Sequence, residues 1–151
     1  MKEPPKSLSA KMYEYYVKQR MARLLNKTYT RMIDNGKQIK VTFTQRGNKH
    51  LLSDTYRAGS PLQRIDLPNI DKIFEDSDYV QSSNLFKPRK DNITTFHYFK
   101  VKKGLHGSTA YINVAEQRIA PGPESGRTET RATYFVYSIT RRLYKNKKPR
   151  N

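Results

Sequence analysis

The sequence predicts an α+β fold in which N-terminal helices pack on one face of a four- to five-stranded antiparallel sheet. Three observations predict it. Apolar residues recur at helical spacing near the start of the chain, the apolar period falls to two beyond residue 90, and turn signals separate segments whose order is mostly helices first, then strands. A chain of 151 residues suits one domain with one core.

Residues 1–9 hold two prolines and little apolar material, so they are expected to form a flexible arm ending at the N-cap residue Ser9. Tyr13, Tyr16, Val17, Met21 and Leu24 then recur at three- and four-residue spacing, which predicts a helix from Ala10 to about Thr28 with a basic outer surface. Asp34-Asn35-Gly36 signals a turn. After it Ile39, Val41 and Phe43 alternate with Lys40, Thr42 and Thr44, as in a strand with one buried face. Gly47-Asn48 opens a short helix that ends before Gly59, and Asp66 opens another through Leu67, Ile70, Ile73 and Phe74 to about Glu75. Tyr79 to Ser82 is a short extended piece. Ile93–Val101, Ala110–Gln117 and Thr133–Thr140 are rich in aromatic and β-branched residues and read as strands. Lys102 to Ser108, with two glycines, joins the first two as a hairpin, and a longer loop from Arg118 to Arg131 joins the last two. One domain therefore spans 10–144, followed by a basic tail, 145–151, that is expected to fray.

Thirty Lys and Arg against thirteen Asp and Glu give a formal charge of +17. That charge repels itself in one domain unless a polyanion neutralises it, so a nucleic acid is the natural partner. The chain has no Cys, which removes disulfides and thiolate metal sites, and its histidines, His50, His97 and His106, are scattered. No metal and no cofactor are expected. No apolar run approaches the roughly 20 residues of a bilayer span, and Met-Lys-Glu-Pro-Pro-Lys does not start a signal peptide. The expectation is a cytoplasmic protein without a membrane partner.

In a sheet covered on one side, alternate residues belong to opposite faces. Phe135, Tyr137 and Ile139 form one set of the last strand. The set expected on the open face is Tyr98, Lys100, Tyr111, Asn113, Ser138 and Thr140, a mixture of rings, hydroxyls and a cation suited to stacking on bases and holding phosphate.

Lys49-His50-Leu51, the run from Ser82 to Asp91 leading into Phe96-His97-Tyr98-Phe99, then Tyr111 to Glu116 and Phe135 to Thr140 carry a resemblance by their order and spacing. Together they resemble the phage-type nucleases of the barnase, EndoU, colicin and RelE-like group, toxin-like domains of mobile elements and large polyvalent phage proteins. The likeness covers Lys37 to Tyr144 and leaves the first helix outside. It implies a barnase- or RelE-like helix-then-antiparallel-sheet fold and metal-independent cleavage of RNA. It also implies that His50 matches the family's N-terminal histidine, Tyr111 and Asn113 its central strand, and Ser138 and Thr140 the hydroxyl position of its last strand. The basic position falls to Lys100, with Lys87, Arg89 and Lys90 around Pro88 as substitutes. The Arg118 to Arg131 loop departs from the pattern as an insertion.

Cleaving RNA without metal requires a base for the 2′-OH proton, an acid for the leaving 5′-oxygen, and cations or donors for the phosphorane charge. On this reading His50 is the base or acid, Lys100 neutralises developing charge, and Asn113, Ser138 and Thr140 orient the phosphate. Tyr111 stacks on a base or moves the second proton. Lys49, Lys87, Arg89, Lys90, Tyr98, Arg141 and Arg142 hold the rest of the strand. His50 is expected in the first turn of its helix, where the dipole favours the neutral imidazole a base needs. His97, among aromatic residues, is expected to be hydrogen-bonded structure, and His106 a turn residue without a role. Two alternatives stay open: a non-catalytic nucleic-acid-binding module of a phage or mobile element, and a basic protein whose partner is an acidic antitoxin or immunity protein.

Overall fold

The computed structural model of the chain describes residues 10–34, 36–119 and 131–143. Helix α1 (Ala10–Leu24) buries Val17, Met21 and Leu24, the stripe its spacing marks. It ends four residues sooner than the periodicity suggests, because Thr28–Ile33 forms a strand, β1, that pairs antiparallel with β2 (Lys37–Thr42). The connecting turn contains the Asp34 and Gly36 of the turn signal, and Gly36 sits at φ 89°, where a glycine carries no Cβ penalty. Thr44 caps α2 (Gln45–Asp54) by accepting from the Gly47 N–H. A 3₁₀ segment, Arg64–Asn69, leads into α3 (Ile70–Glu75). Four strands complete the chain: β3 (Asp78–Asn84), β4 (Ile93–Lys100), β5 (Tyr111–Ile119) and β6 (Arg131–Thr140).

The six strands form one sheet in the order β1-β2-β6-β5-β4-β3. Strands β3 to β6 are an antiparallel meander, and the β1–β2 hairpin joins its β6 edge through a parallel pairing of Val41 with Tyr134 and Thr42 with Phe135. The expected antiparallel sheet of four or five strands is therefore corrected to a mixed sheet of six. The sheet curls until its outer strands approach each other. Arg31 of β1 donates to the carbonyls of Phe74 and Ser77, and its guanidinium lies over the rings of Phe74 and Phe99.

The main core joins α1 and α3 to the sheet through residues such as Met21, Leu24, Ile70 and Phe74 against Val41, Phe99, Ile112 and Val136. Helix α2 adds Leu51 to the same core. It lies along β6 where β2 stops pairing, and Asp54 accepts from the Ile139 N–H at 3.2 Å, which satisfies a backbone group that the strand edge would leave open. The opposite side of the sheet carries a second cluster, Ile93, Phe96, Tyr98, Ala115 and Phe135, packed with Leu85, Tyr111, Tyr137 and Leu143. That cluster overturns the expectation of an open face bearing Tyr98, Asn113 and Ser138: Tyr98 is fully buried, Asn113 is 1% and Ser138 8% exposed.

Candidate nucleic-acid interface

The strand register gathers six of the thirteen sequence-derived candidates into two cross-strand rows. Lys100 faces Tyr111, which faces Thr140; one step along, Tyr98 faces Asn113, which faces Ser138. The first row is accessible, with Lys100 exposed and Tyr111 and Thr140 half-buried, while the second is covered. Asn113 Nδ2 donates to Ser138 Oγ at 2.8 Å and to Thr140 Oγ1 at 3.3 Å, so the amide fixes both hydroxyls. Its Oδ1 is buried without a hydrogen-bond partner among the described residues. A buried acceptor left open costs about 1–3 kcal/mol.

A β-bulge decides the geometry beside these rows. The β5–β6 register shifts between Asn113 and Val114, so that Ser138 faces Asn113 while Val136 faces Val114, and Tyr137 is the extra residue. The bulge breaks the alternation that grouped Tyr137 with Ile139: Ile139 joins the main core, and Tyr137 packs with the second cluster. Its ring becomes a hub. The His50 imidazole meets it edge-on with centroids 4.2 Å apart, Phe96 meets it at 5.4 Å, and Phe135 stacks at 6.0 Å. The guanidiniums of Arg46 and Arg89 lie 6.0 and 5.8 Å from its centroid, and Arg89 Nη2 donates to its hydroxyl at 3.4 Å.

His50 stands on the sixth residue of α2, not in its first turn, because the helix starts at Gln45. The dipole argument for a neutral imidazole is thereby lost. Its position comes instead from helix packing. One turn on, Asp54 anchors α2 to Ile139, and its Oδ1 lies 3.5 Å from His50 Nδ1 and 3.3 Å from Arg57. Nδ1 is buried and makes no hydrogen bond among the described residues, while the side chain as a whole is 37% exposed.

Asp91, in the β3–β4 connection, ties the two arginines together. Its carboxylate accepts from Arg46 Nη2 at 2.6 Å, from Arg89 Nε and Nη2 at 3.1 and 2.8 Å, and from the Ile93 N–H at 3.1 Å. Burial pushes the Asp91 carboxyl up, but the Ile93 amide and the two guanidiniums outweigh it and hold it below its ordinary value. Burial likewise opposes the charge of Arg89, and Tyr137 and Asp91 overcome it. Two like charges from distant segments are thus held side by side around one anion, half in solvent. Sequence reasoning named Arg89 but missed Arg46, Asp91 and Tyr137. The only signal was residue type, since their convergence depends on a bulge and on where α2 docks.

The remaining candidates are spread out. Lys49, Lys87, Lys90, Arg141 and Arg142 are exposed, and Thr140 Oγ1 donates to the Arg142 carbonyl. Residues 120–130 and 144–151, which hold most of the long loop and the basic tail, lie outside the described residues, as does the arm. His106 bonds both carboxylate oxygens of Asp66 at 2.9 Å, tying the β4–β5 hairpin to the 3₁₀ segment. His97 is buried between Ser82 and Glu116. No helix among the described residues is long and apolar enough to cross a membrane.

The model of one protein family, large polyvalent protein-associated domain 3, matches residues 8–128. The match takes in α1 and the β1–β2 hairpin and stops before β6. No curated protein and no solved structure matches the chain.

Proposed function

Because the chain belongs to the large polyvalent protein-associated domain 3 family, a membership that agrees with a phage or mobile-element setting, we propose that it is a metal-independent endoribonuclease acting as a toxin-like domain there. The observation that carries the reading is the seat of His50: a half-exposed imidazole whose Nδ1 is buried 3.5 Å from the Asp54 carboxylate, against the Tyr137 ring, beside two guanidiniums and the strand that bears Ser138 and Thr140. In this scheme His50 takes the proton of the 2′-OH, whose oxygen attacks phosphorus. The bond to the 5′-oxygen breaks, and the Tyr137 phenol supplies that oxygen's proton, leaving a 2′,3′-cyclic phosphate and a 5′-OH. Arg46 and Arg89 hold the phosphorane charge, a task bidentate guanidiniums perform better than the single ammonium of Lys100. Lys100 and Thr140 border the site and hold the flanking phosphate.

The test is incubation of the chain with end-labelled RNA in excess EDTA. Cyclic phosphate ends that disappear in His50→Ala, with RNA binding retained, support the enzyme. Intact RNA throughout, with salt-sensitive binding to any polyanion, supports a non-catalytic module instead. Burial of Tyr98, Asn113 and Ser138 withholds half of the expected contact surface from a strand of RNA on either reading.

A further inference from the structure

A second group of chemically capable side chains lies on the main-core face of the sheet, away from the Tyr137 hub. Ser82 of β3, His97 of β4 and Glu116 of β5 form a line across three adjacent strands. Ser82 Oγ is 2.5 Å from His97 Nδ1, and His97 Nε2 is 2.9 Å from Glu116 Oε1. Accessibility grades along the line: Ser82 is half-buried, whereas His97 and Glu116 are 2% and 5% exposed. The Tyr134 ring flanks the imidazole with centroids 5.8 Å apart, and Arg118 bonds the other carboxylate oxygen at 3.0 Å.

Charge assigns the protons. The hydrogen bond from His97 holds the Glu116 carboxyl below its ordinary value, with burial opposing and Arg118 helping, so Glu116 is a carboxylate at neutral pH. A carboxylate only accepts, so the shared proton rests on Nε2, and Nδ1 is the nitrogen that faces the Ser82 hydroxyl. Nucleophile, base and orienting acid are thereby in hydrogen-bonded sequence, and the reactive oxygen is the accessible end. The two ring nitrogens exchange their usual partners, which leaves the direction of proton flow unchanged. Tyr79 OH lies 2.7 Å from Ser82 Oγ and donates to Asp34. Burial and that bond raise the phenol above its ordinary value, and its one proton is held by Asp34.

We propose that Ser82 is an activated nucleophile, driven by His97 and Glu116, that accepts acyl groups from carboxylic esters at a second site independent of RNA cleavage. In the acylation step Ser82 Oγ forms a bond to the carbonyl carbon as its proton passes to His97 Nδ1. The bond from that carbon to the ester oxygen breaks, and the departing alkoxide takes the proton from Nδ1, so the products are an acyl-serine and an alcohol. Glu116 holds the ring through both transfers and stabilises the transient imidazolium.

The experiment uses p-nitrophenyl acetate and a fluorophosphonate probe on the full chain at pH 7–8, with adducts located by peptide mass spectrometry and folding checked by circular dichroism. The expected result is a single adduct on Ser82, absent from Ser82→Ala. Glu116→Gln keeps the shape of the site while removing the charge, and should label at least about tenfold more slowly. Ser82→Ala should leave RNA cleavage unchanged, which separates this site from the one at His50. A wild type that labels no faster than Ser82→Ala, an adduct on another residue, or equal labelling of a folded Glu116→Gln variant each overturns the proposal.

Discussion

Gly47→Ala is the most direct test of how α2 is held against the sheet. A Cβ at Gly47 would stand 2.2 Å from the Val136 carbonyl oxygen and 3.3 Å from the Phe135 ring. The oxygen belongs to backbone, so it cannot swing aside. The first distance falls 1.2 Å short of the 3.4 Å at which ordinary contact begins, and α2 must move off β6 by a comparable amount. Overpacking of this kind costs about 1–3 kcal/mol, and a rigid backbone contact belongs at the upper end. Alanine in place of glycine inside a helix returns about 1 kcal/mol. The balance is a loss of about 2 kcal/mol, which for a domain of this size lowers Tm by about 4–8 °C. The Ile139 N–H to Asp54 bond, 3.2 Å long, does not survive such a movement. Calorimetry and amide exchange of Ile139 are the assays, and RNA cleavage should fall with them as His50 leaves Tyr137. A rise in Tm of a few degrees with Ile139 still protected would mean that propensity alone governs α2, and would refute the docking argument.

Other outcomes rest on named contacts. Arg46→Ala and Arg89→Ala should each reduce the slope of log K against log[salt] for a non-cleavable oligonucleotide by about 1, whereas His50→Ala leaves that slope unchanged; titration at several salt concentrations measures it. Asp54→Ala strips the acceptor from a buried strand-edge N–H, and chemical denaturation should show a loss of about 1–3 kcal/mol. Glu116 is held below its ordinary 4.5 in the folded chain, so its stabilisation is complete above that value and is lost as pH falls through the lower folded value. The Tm gap between wild type and Glu116→Gln should therefore be widest above pH 5 and close on acidification, as followed by thermal melts between pH 2.5 and 7.

The features legible in the sequence and those hidden from it divide along the range of the interactions involved. The stripe from Val17 to Leu24, the Asp34 to Gly36 turn and the three late strands are local patterns, and each appears where periodicity or turn chemistry puts it. Strand β1 was hidden because Thr28–Ile33 directly succeeds the helix and contributes only one buried residue, Ile33, too weak a signal to end the helical reading. The parallel pairing of β2 with β6 joins residues more than 90 positions apart and leaves no local trace. Face assignment suffered most, because period-two counting survives only until the first bulge. Register shifts at Val80, at Thr94 and at Tyr137 each reverse the phase of the strand beyond them. The same bulge that defeated the counting brings Tyr137 out of the alternation and against His50. The histidine was legible from its neighbours in sequence, while the tyrosine and arginines around it were not, since three separate segments and one irregular strand position are needed to bring them together. A strand that departs from its pleat at one residue, beside an edge sealed by a helix, sends to opposite faces two residues, Tyr137 and Ile139, that strict alternation would keep together. For that reason an insertion or deletion in β6 that restores the regular register should put Tyr137 and Ile139 on one face, so that either the Tyr137 hub or the place of Ile139 in the main core is lost.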